Sequence, residues 1–135
     1  MISHHELCFG CGQANLFGLQ LEMERDGKRV RGRFFVKQDH QGPPGVAHGG
    51  IVAAALDEAM ALLVHDEEIR ALTERLEIVL EKPAPVGAFL ELEATIVERE
   101  RKRLLLRAEA KSEGERVARA MGVFVVVPPR SPDLA

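Results

Sequence analysis

The sequence predicts an α+β fold in which a curved, largely antiparallel sheet wraps around one long central helix. Three observations support this fold class: a single alanine-rich segment with helical periodicity, strand-like alternation on both sides of it, and glycine-containing turns between the alternating segments. The chain has 135 residues, enough for one domain with one core. We therefore expect residues 1–135 to form a single domain with the element order β-β-α-β-β-β-β.

The first half of the chain predicts a hairpin, a loop and the helix. Polar and apolar residues alternate on both sides of Asp26-Gly27, a common hairpin turn pair. A loop rich in glycine and proline follows. Apolar residues then recur near helical spacing from His48 to His65, and small residues cover much of this helix, so we expect it to be packed on most sides.

The second half of the chain predicts four strands. Leucines alternate with polar residues from Leu72 to Leu80, and Glu113-Gly114 marks a turn between the last two strands. Strands joined by short turns form antiparallel sheets. Outside these elements we expect an N-terminal leader at residues 1–18 and a flexible tail at residues 128–135, where three prolines block regular pairing.

Composition narrows the class of protein. The net charge of −3 and the sequence pI of about 6.0 argue against a general nucleic-acid binder, which would carry a basic excess. No apolar run approaches the roughly 20 residues that cross a bilayer, and the first residues lack the basic and apolar regions of a secretory signal. We therefore expect a cytoplasmic protein that binds neither nucleic acid nor membrane.

The two cysteines, Cys8 and Cys11, form a C-x2-C pair in the leader. Such a pair can be a redox couple, part of a zinc site or simply structural, and His4 and His5 are close enough in sequence to complete four zinc ligands. No strand precedes the pair, whereas redox pairs usually open a helix in a βαβ unit. Our expectation is a structural segment without a metal, with the zinc site as an open alternative.

The helix begins unusually, with Gly49-Gly50. The first N–H groups of a helix have no partner within it, and the helix dipole adds partial positive charge there. Glycine allows another molecule to approach the backbone closely, so this start could stabilise a developing oxyanion. The alternative is tight packing of the helix start against a strand.

An acidic residue, Asp57, lies among apolar residues of the same helix. A desolvated carboxylate tends to have a raised pKa and suits a general base or a nucleophile, although it can also be a hydrogen-bonded structural acid. Glu58 is about 100° further round the helix, so we expect it to face solvent or an edge.

Gly49 and Asp57 are separated by about 12 Å along a helix, at 1.5 Å per residue. One thioester or ester carbonyl therefore cannot touch both within one chain. They serve different sites, or two helices lie antiparallel so that Gly49 of one chain meets Asp57 of another. The second arrangement produces a twofold dimer with two equal sites.

These residues carry a family resemblance. The segments "HQGPPGVAHGGIVAAALDEAM" and "LTERLEIVLEKPAPVG" resemble the hotdog-fold acyl-CoA thioesterases of the hydroxybenzoyl-CoA thioesterase superfamily, and within it the phenylacetate-type (PaaI-like) branch. The leader "CFGCGQANLFGLQL" looks like that of a subgroup. The resemblance implies hydrolysis of an acyl-CoA to acid and CoA without a metal or organic cofactor. It also implies homodimers with shared sites, which often pair into homotetramers.

The resemblance also implies roles for individual residues. Gly49 would supply the oxyanion-hole N–H and Asp57 of the partner chain the base or nucleophile. Thr73 would orient the water or the acid, and His48 and Gly50 would contact the thioester end of the substrate.

Two further groups of polar residues are weaker candidates for substrate contacts. The family often has Asn or Gln about six residues before the histidine, where this chain has Gly42, so Gln41 or His40 would take that role. Arg101 and Arg103 lie in a basic turn and would contact CoA phosphates, because arginine suits phosphate by its forked geometry. The alternative for this turn is a solvated surface.

Two other functions share this fold class. A non-catalytic hotdog module would bind acyl-CoA without cleaving it. A hotdog dehydratase would use a histidine along the helix, whereas His48 precedes the glycines. Asp57 together with Thr73 favours the thioesterase.

Overall fold

The computed structural model describes residues 1–128. The expected flexible tail, apart from its first residue, lies outside the described residues. The helix and strands are, in chain order, β1 (Glu22–Asp26), β2 (Arg29–Phe35), α1 (Gly49–Asp66), β3 (Ala71–Leu80), β4 (Phe89–Arg99), β5 (Arg103–Ser112) and β6 (Glu115–Val126). The expected order is confirmed, and a short 3-10 helix at Gln38–His40 is added in the loop before α1.

The six strands form one antiparallel sheet in the order β1-β2-β4-β5-β6-β3. Helix α1 contacts every one of the strands. Its buried residues are Val52, Ala55, Leu56, Ala59, Met60, Leu62, Leu63 and Val64, and they form one core with residues of the sheet. The expected α+β architecture, a curved antiparallel sheet wrapped around one long helix, is therefore confirmed.

The hairpin turns explain why these strands pair as they do. Gly27 has φ +63° in the loop between β1 and β2, and Glu113 and Gly114 have φ +51° and +80° between β5 and β6. Between β5 and β6, two consecutive residues with positive φ match the right-handed twist of the flanking strands. Gly27 alone has positive φ between β1 and β2, and glycine adopts this conformation at little cost. Both turns predicted from sequence are present in the structure.

Helix α1 begins and ends one residue later than predicted, at Gly49 and Asp66 instead of His48 and His65. It begins at Gly49 because His48, with φ −60° and ψ 134°, is extended and serves as the N-cap.

Among the described residues, no helix has the length and apolar character needed to cross a membrane.

The leader folds back over the domain. Backbone hydrogen bonds join Ile2 N–H to the Met23 carbonyl (2.9 Å), Leu19 N–H to the Phe9 carbonyl (2.8 Å) and Leu21 N–H to the Gly10 carbonyl (3.0 Å). Cys11, Leu19 and Leu21 are buried in the main core. The leader is therefore an integral layer of the fold, on the flank of α1.

Strand β3 is an edge of the sheet and has an apolar surface. Leu72, Leu76 and Leu80 are 63%, 37% and 53% exposed. Their alternation reflects a strand, as predicted, but within one chain these side chains are not part of the core. An unpaired edge strand with exposed leucines is a surface on which another strand can pair.

Candidate active site

The structure brings Asp57 and Thr73 of the same chain together. The Thr73 hydroxyl donates a hydrogen bond to Asp57 Oδ1 at 2.7 Å, across the interface between α1 and β3. Asp57 is half-buried, and burial is the main cause that raises the pKa of its carboxyl group. The hydrogen bond from Thr73 opposes this shift, and the nearby charge of Glu58 adds to it. The result is an oriented carboxylate with increased basicity.

Thr73 lies at an irregularity of β3. It pairs with Phe124 of β6, and the register shifts between Thr73 and Arg75. A bulge inserts an extra residue and re-aims the side chains beside it. Alternation alone would not have shown which residue of this strand contacts the helix acid.

The start of α1 leaves one donor available. Nδ1 of His48 accepts a hydrogen bond from the Gly50 N–H at 2.9 Å, so His48 caps the helix. Within residues 1–128, the Gly49 N–H donates to no acceptor. Gly49 therefore presents the free N–H at the positive end of the helix dipole, the arrangement an oxyanion hole requires.

Gly49 also packs closely against β3. A Cβ at Gly49 would lie 2.8 Å from Leu80 Cδ1. The tight-packing explanation for this glycine therefore applies as well as the functional one. Leu80 Cδ1 is the end of an exposed side chain, which can shift, and not rigid backbone. The absence of a Cβ at Gly49 also keeps its N–H accessible to another molecule.

The loop before the helix places Gln41 and His40 differently. Gln41 is exposed, and its Oε1 accepts a hydrogen bond from the Gly45 N–H at 2.9 Å, which leaves the amide N–H group directed away from this contact. His40 is 4% exposed, and its Nδ1 accepts from the Lys37 N–H at 3.0 Å. The expectation that His40 could contact a substrate is wrong, because this ring is buried against Phe34.

The two arginines of the basic turn have different partners. Arg103 donates two hydrogen bonds to the carboxylate of Glu74, at 2.9 and 3.0 Å, which lowers the pKa of that carboxyl. Arg101 is exposed and has no carboxylate partner among the described residues. Glu74 follows Thr73 directly, so the turn lies near the end of β3 that carries the Asp57–Thr73 pair.

One chain thus has two partial sites. The Asp57–Thr73 pair lies two turns along α1 from the helix start, where Gly49, His48 and the Gln41 loop are found. Eight residues of helix separate the free N–H from the carboxylate by about 12 Å. A single reacting carbonyl cannot contact both within the described chain.

The prediction that Glu58 faces solvent or an edge is wrong. Its side chain is only 13% exposed, and Oε2 lies 2.9 Å from Nδ1 of His4. The reason is that the leader folds over this side of α1, so Glu58 meets His4, Cys8 and Cys11. We call these four residues the leader cluster. No local sequence signal connects Glu58 to a histidine 54 residues away, although the C-x2-C pair marked the other side of the contact.

Comparisons with known proteins agree with this architecture. The family model described as Thioesterase superfamily matches residues 44–119, more than half of the chain. A search of curated proteins found no significant match. A solved thioesterase superfamily protein superimposes with a TM-score of 0.84 at 22% identity, covering 89% of this chain and 60% of its own. This chain thus spans 60% of the length of that protein.

Two further structures cover most of both chains. A hypothetical thioesterase from Streptococcus pneumoniae, solved with coenzyme A, has a TM-score of 0.76 at 21% identity over 82% of this chain and 88% of its own. A variant of the phenylacetic acid degradation protein PaaI from Thermus thermophilus has a TM-score of 0.73 at 28% identity, over 79% and 93%. The matched family and the shared hotdog architecture lead to one conclusion: this chain belongs to the thioesterase superfamily and resembles its PaaI-like members.

Proposed function

We propose that the protein hydrolyses an acyl-CoA thioester to a free acid and CoA. The observation that carries this proposal is the Asp57–Thr73 pair, a half-buried carboxylate held by a 2.7 Å hydrogen bond. A module that only binds acyl-CoA has no need for an oriented carboxylate of raised basicity. Membership of the thioesterase superfamily supports the same reaction class.

The proposed chemistry uses groups that this chain supplies. The thioester carbonyl oxygen accepts a hydrogen bond from the Gly49 N–H. Asp57 takes a proton from a water molecule while that water attacks the carbonyl carbon. The tetrahedral oxyanion collapses, the C–S bond breaks, and the CoA sulfur leaves with the proton held by Asp57. In the nucleophilic variant, Asp57 attacks directly and water then cleaves the mixed anhydride. Both routes proceed without a metal or an organic cofactor.

The surface of β3 supports a site shared between two chains. This edge strand exposes three leucines beside the helix face that carries Asp57. Pairing of two such edges around a twofold axis would cover the leucines and lay two α1 helices side by side. Gly49 of one protomer would then approach Asp57 of its partner, and each dimer would have two complete sites.

The coenzyme A complex of the pneumococcal thioesterase supports CoA as part of the substrate. That protein was also solved with an aspartate and, separately, a threonine replaced by alanine, and those positions are 16 residues apart, as are Asp57 and Thr73. The match in residue types and spacing supports Asp57 and Thr73 as the functional pair.

The remaining substrate contacts follow from which donors are available. We propose that the amide of Gln41 contacts the acyl carbonyl region and that His48 and Gly50 hold the helix start in shape. Arg101 is the better candidate for a CoA phosphate, because Arg103 is already paired with Glu74.

The test is CoA release by the purified protein across a panel of aryl- and alkyl-CoA thioesters, with Asp57→Ala measured beside it. We expect hydrolysis by the wild type and a loss of about 10²–10⁴-fold in kcat for the variant, as for removal of a general base. Tight acyl-CoA binding without any hydrolysis would instead indicate the non-catalytic binding module. Wild-type activity in a folded Asp57→Ala protein would contradict the mechanism.

A further inference from the structure

The leader cluster brings together four side chains whose atoms commonly ligate metals. Nδ1 of His4 lies 3.5 Å from Cys11 Sγ, 3.7 Å from Cys8 Sγ and 2.9 Å from Glu58 Oε2. Cys8 Sγ lies 3.4 Å from the same carboxylate oxygen. All four ligand atoms lie within 4.8 Å of one another.

These separations match a tetrahedron around a zinc ion. Zinc bonds of about 2.3 Å to sulfur and about 2.0–2.1 Å to nitrogen or oxygen place tetrahedral ligand atoms about 3.3–3.8 Å apart. The three contacts that involve sulfur are 3.4–3.7 Å, and only the histidine–carboxylate contact, at 2.9 Å, is shorter. The remaining ligand atoms lie within 4.8 Å of one another, so the side chains need to adjust in order to enclose the ion.

Hydrogen-bond donors contact the sulfur of Cys11. The backbone N–H of His4 donates to Cys11 Sγ at 3.2 Å, and the Ser3 hydroxyl contacts the same sulfur at 3.6 Å. Hydrogen bonds of this kind orient the ligands of a metal site.

Charge and packing also suit a cation. Glu58 places a carboxylate on the flank of α1, 2.9 Å from Nδ1 of His4, so the cluster combines an anionic ligand with an imidazole nitrogen. A Cβ at Gly10 would lie 2.3 Å from Glu58 Cγ. Only glycine therefore allows the C-x2-C turn to reach the helix carboxylate.

We propose that His4, Cys8, Cys11 and Glu58 bind one zinc ion that fastens the leader to helix α1. Two thiolates, an imidazole and a carboxylate are a ligand set that zinc accepts in tetrahedral geometry, and thiolates disfavour magnesium and calcium. His5, which also could have been a ligand on sequence grounds, lies outside the cluster and accepts a hydrogen bond from the Leu7 N–H.

The proposed ion is structural. Four protein ligands close the tetrahedron, whereas catalytic zinc sites keep one position open for water or substrate. Zinc would join chain segments that are 47 residues or more apart, on the helix turn that also carries Asp57. The leader would thus hold the flank of α1 next to the face that contacts Thr73, while the acyl-CoA chemistry proceeds without the ion.

The test measures metal content, with no need for activity. The full chain is prepared without a histidine tag, equilibrated with zinc chloride, desalted and analysed by plasma mass spectrometry. We expect about one zinc per chain in the wild type and in the control His5→Gln, and less than about 0.2 in Cys11→Ser and Glu58→Gln. Circular dichroism establishes that each variant is folded.

Cobalt provides a second readout on the wild type alone, which matters because Cys11 is buried and its variant could fail to fold. Co²⁺ in a tetrahedral site with thiolate ligands produces sulfur-to-metal charge-transfer absorption together with intense visible bands. Appearance of these bands, and their loss on adding excess zinc, would support the site. A folded wild-type chain that retains no zinc and shows no such bands would overturn the proposal, as would a Cys8–Cys11 disulfide in protein freshly purified without reductant.

Discussion

Thr73 offers a sharp test of the proposed site, because its hydroxyl acts only through Asp57. Thr73→Val removes the hydroxyl and keeps the size and β-branching of the side chain. The lost contact is a 2.7 Å hydrogen bond to a half-buried carboxylate. Hydrogen bonds to charged groups contribute about 1.5–3 kcal/mol, which corresponds to about 10- to 150-fold in rate at 1.36 kcal/mol per decade.

The exposure of Thr73 favours the lower part of this range. Water can replace its hydroxyl at Asp57 in the variant, so we expect kcat/KM to fall about 10- to 30-fold. The control Thr73→Ser keeps the donor and should stay within about threefold of the wild type, since the hydrogen bond can re-form. CoA release, followed with a thiol reagent on the best substrate of the panel, measures both variants.

A double-mutant cycle separates this role from a general packing effect. Once Asp57→Asn has removed the carboxylate, adding Thr73→Val should cause little further loss, because the hydroxyl no longer has a base to orient. Additive losses in the double variant would refute the reasoning. So would a Thr73→Val protein with wild-type kcat/KM, or a Thr73→Ser protein as defective as Thr73→Val.

Three other outcomes follow from the structure. Mixing Asp57→Ala with Gly49→Val chains should restore about a quarter of wild-type activity, because random pairing gives half heterodimers with one intact site each; inactivity after demonstrated subunit exchange would exclude a shared site. Gly114→Ala should lower the free energy of unfolding by about 1 kcal/mol, since φ is +80° there and alanine is strained, while Gly114→Asn should cost less; equal thermal melts would contradict this. Burial lowers the pKa of His40 below the ordinary histidine value of about 6.5, so the unfolded chain binds the extra proton and stability should fall as pH drops below about 6.5; urea unfolding at pH 5.5 and 7.5 should show a smaller fall for His40→Gln than for the wild type.

Sequence reasoning succeeded where the signal is local. Backbone preference at Asp26-Gly27 and Glu113-Gly114 indicated both hairpin turns, and the spacing of apolar residues indicated α1 to within one residue. The contrast between Asp57 and its apolar neighbours identified a half-buried acid correctly. Each of these features depends on residues within a few positions of one another.

Contacts between distant parts of the chain could not be predicted from the sequence, because no local signal indicates them. His40 lies only eight residues from His48, yet its burial depends on Phe34 and on the loop that closes over it. Arg103 was considered for a phosphate contact, and its pairing with Glu74 arises only because β6 brings β5 and β3 close together. Neither outcome follows from helical or strand periodicity.

The sequence by itself determined the order of elements, the hairpins, the alanine-rich helix, and Asp57 and Gly49 as its unusual residues. The resemblance already indicated Thr73 as a site residue. Only the tertiary structure decided that its hydroxyl bonds Asp57 of the same chain, that His48 occupies the Gly50 N–H and leaves the Gly49 N–H free, and that Glu58 meets the leader cysteines. The physical reason is range. Turn conformation and periodicity are set by neighbouring residues, whereas these contacts join groups brought together when the sheet closes around the helix and the leader folds over its flank.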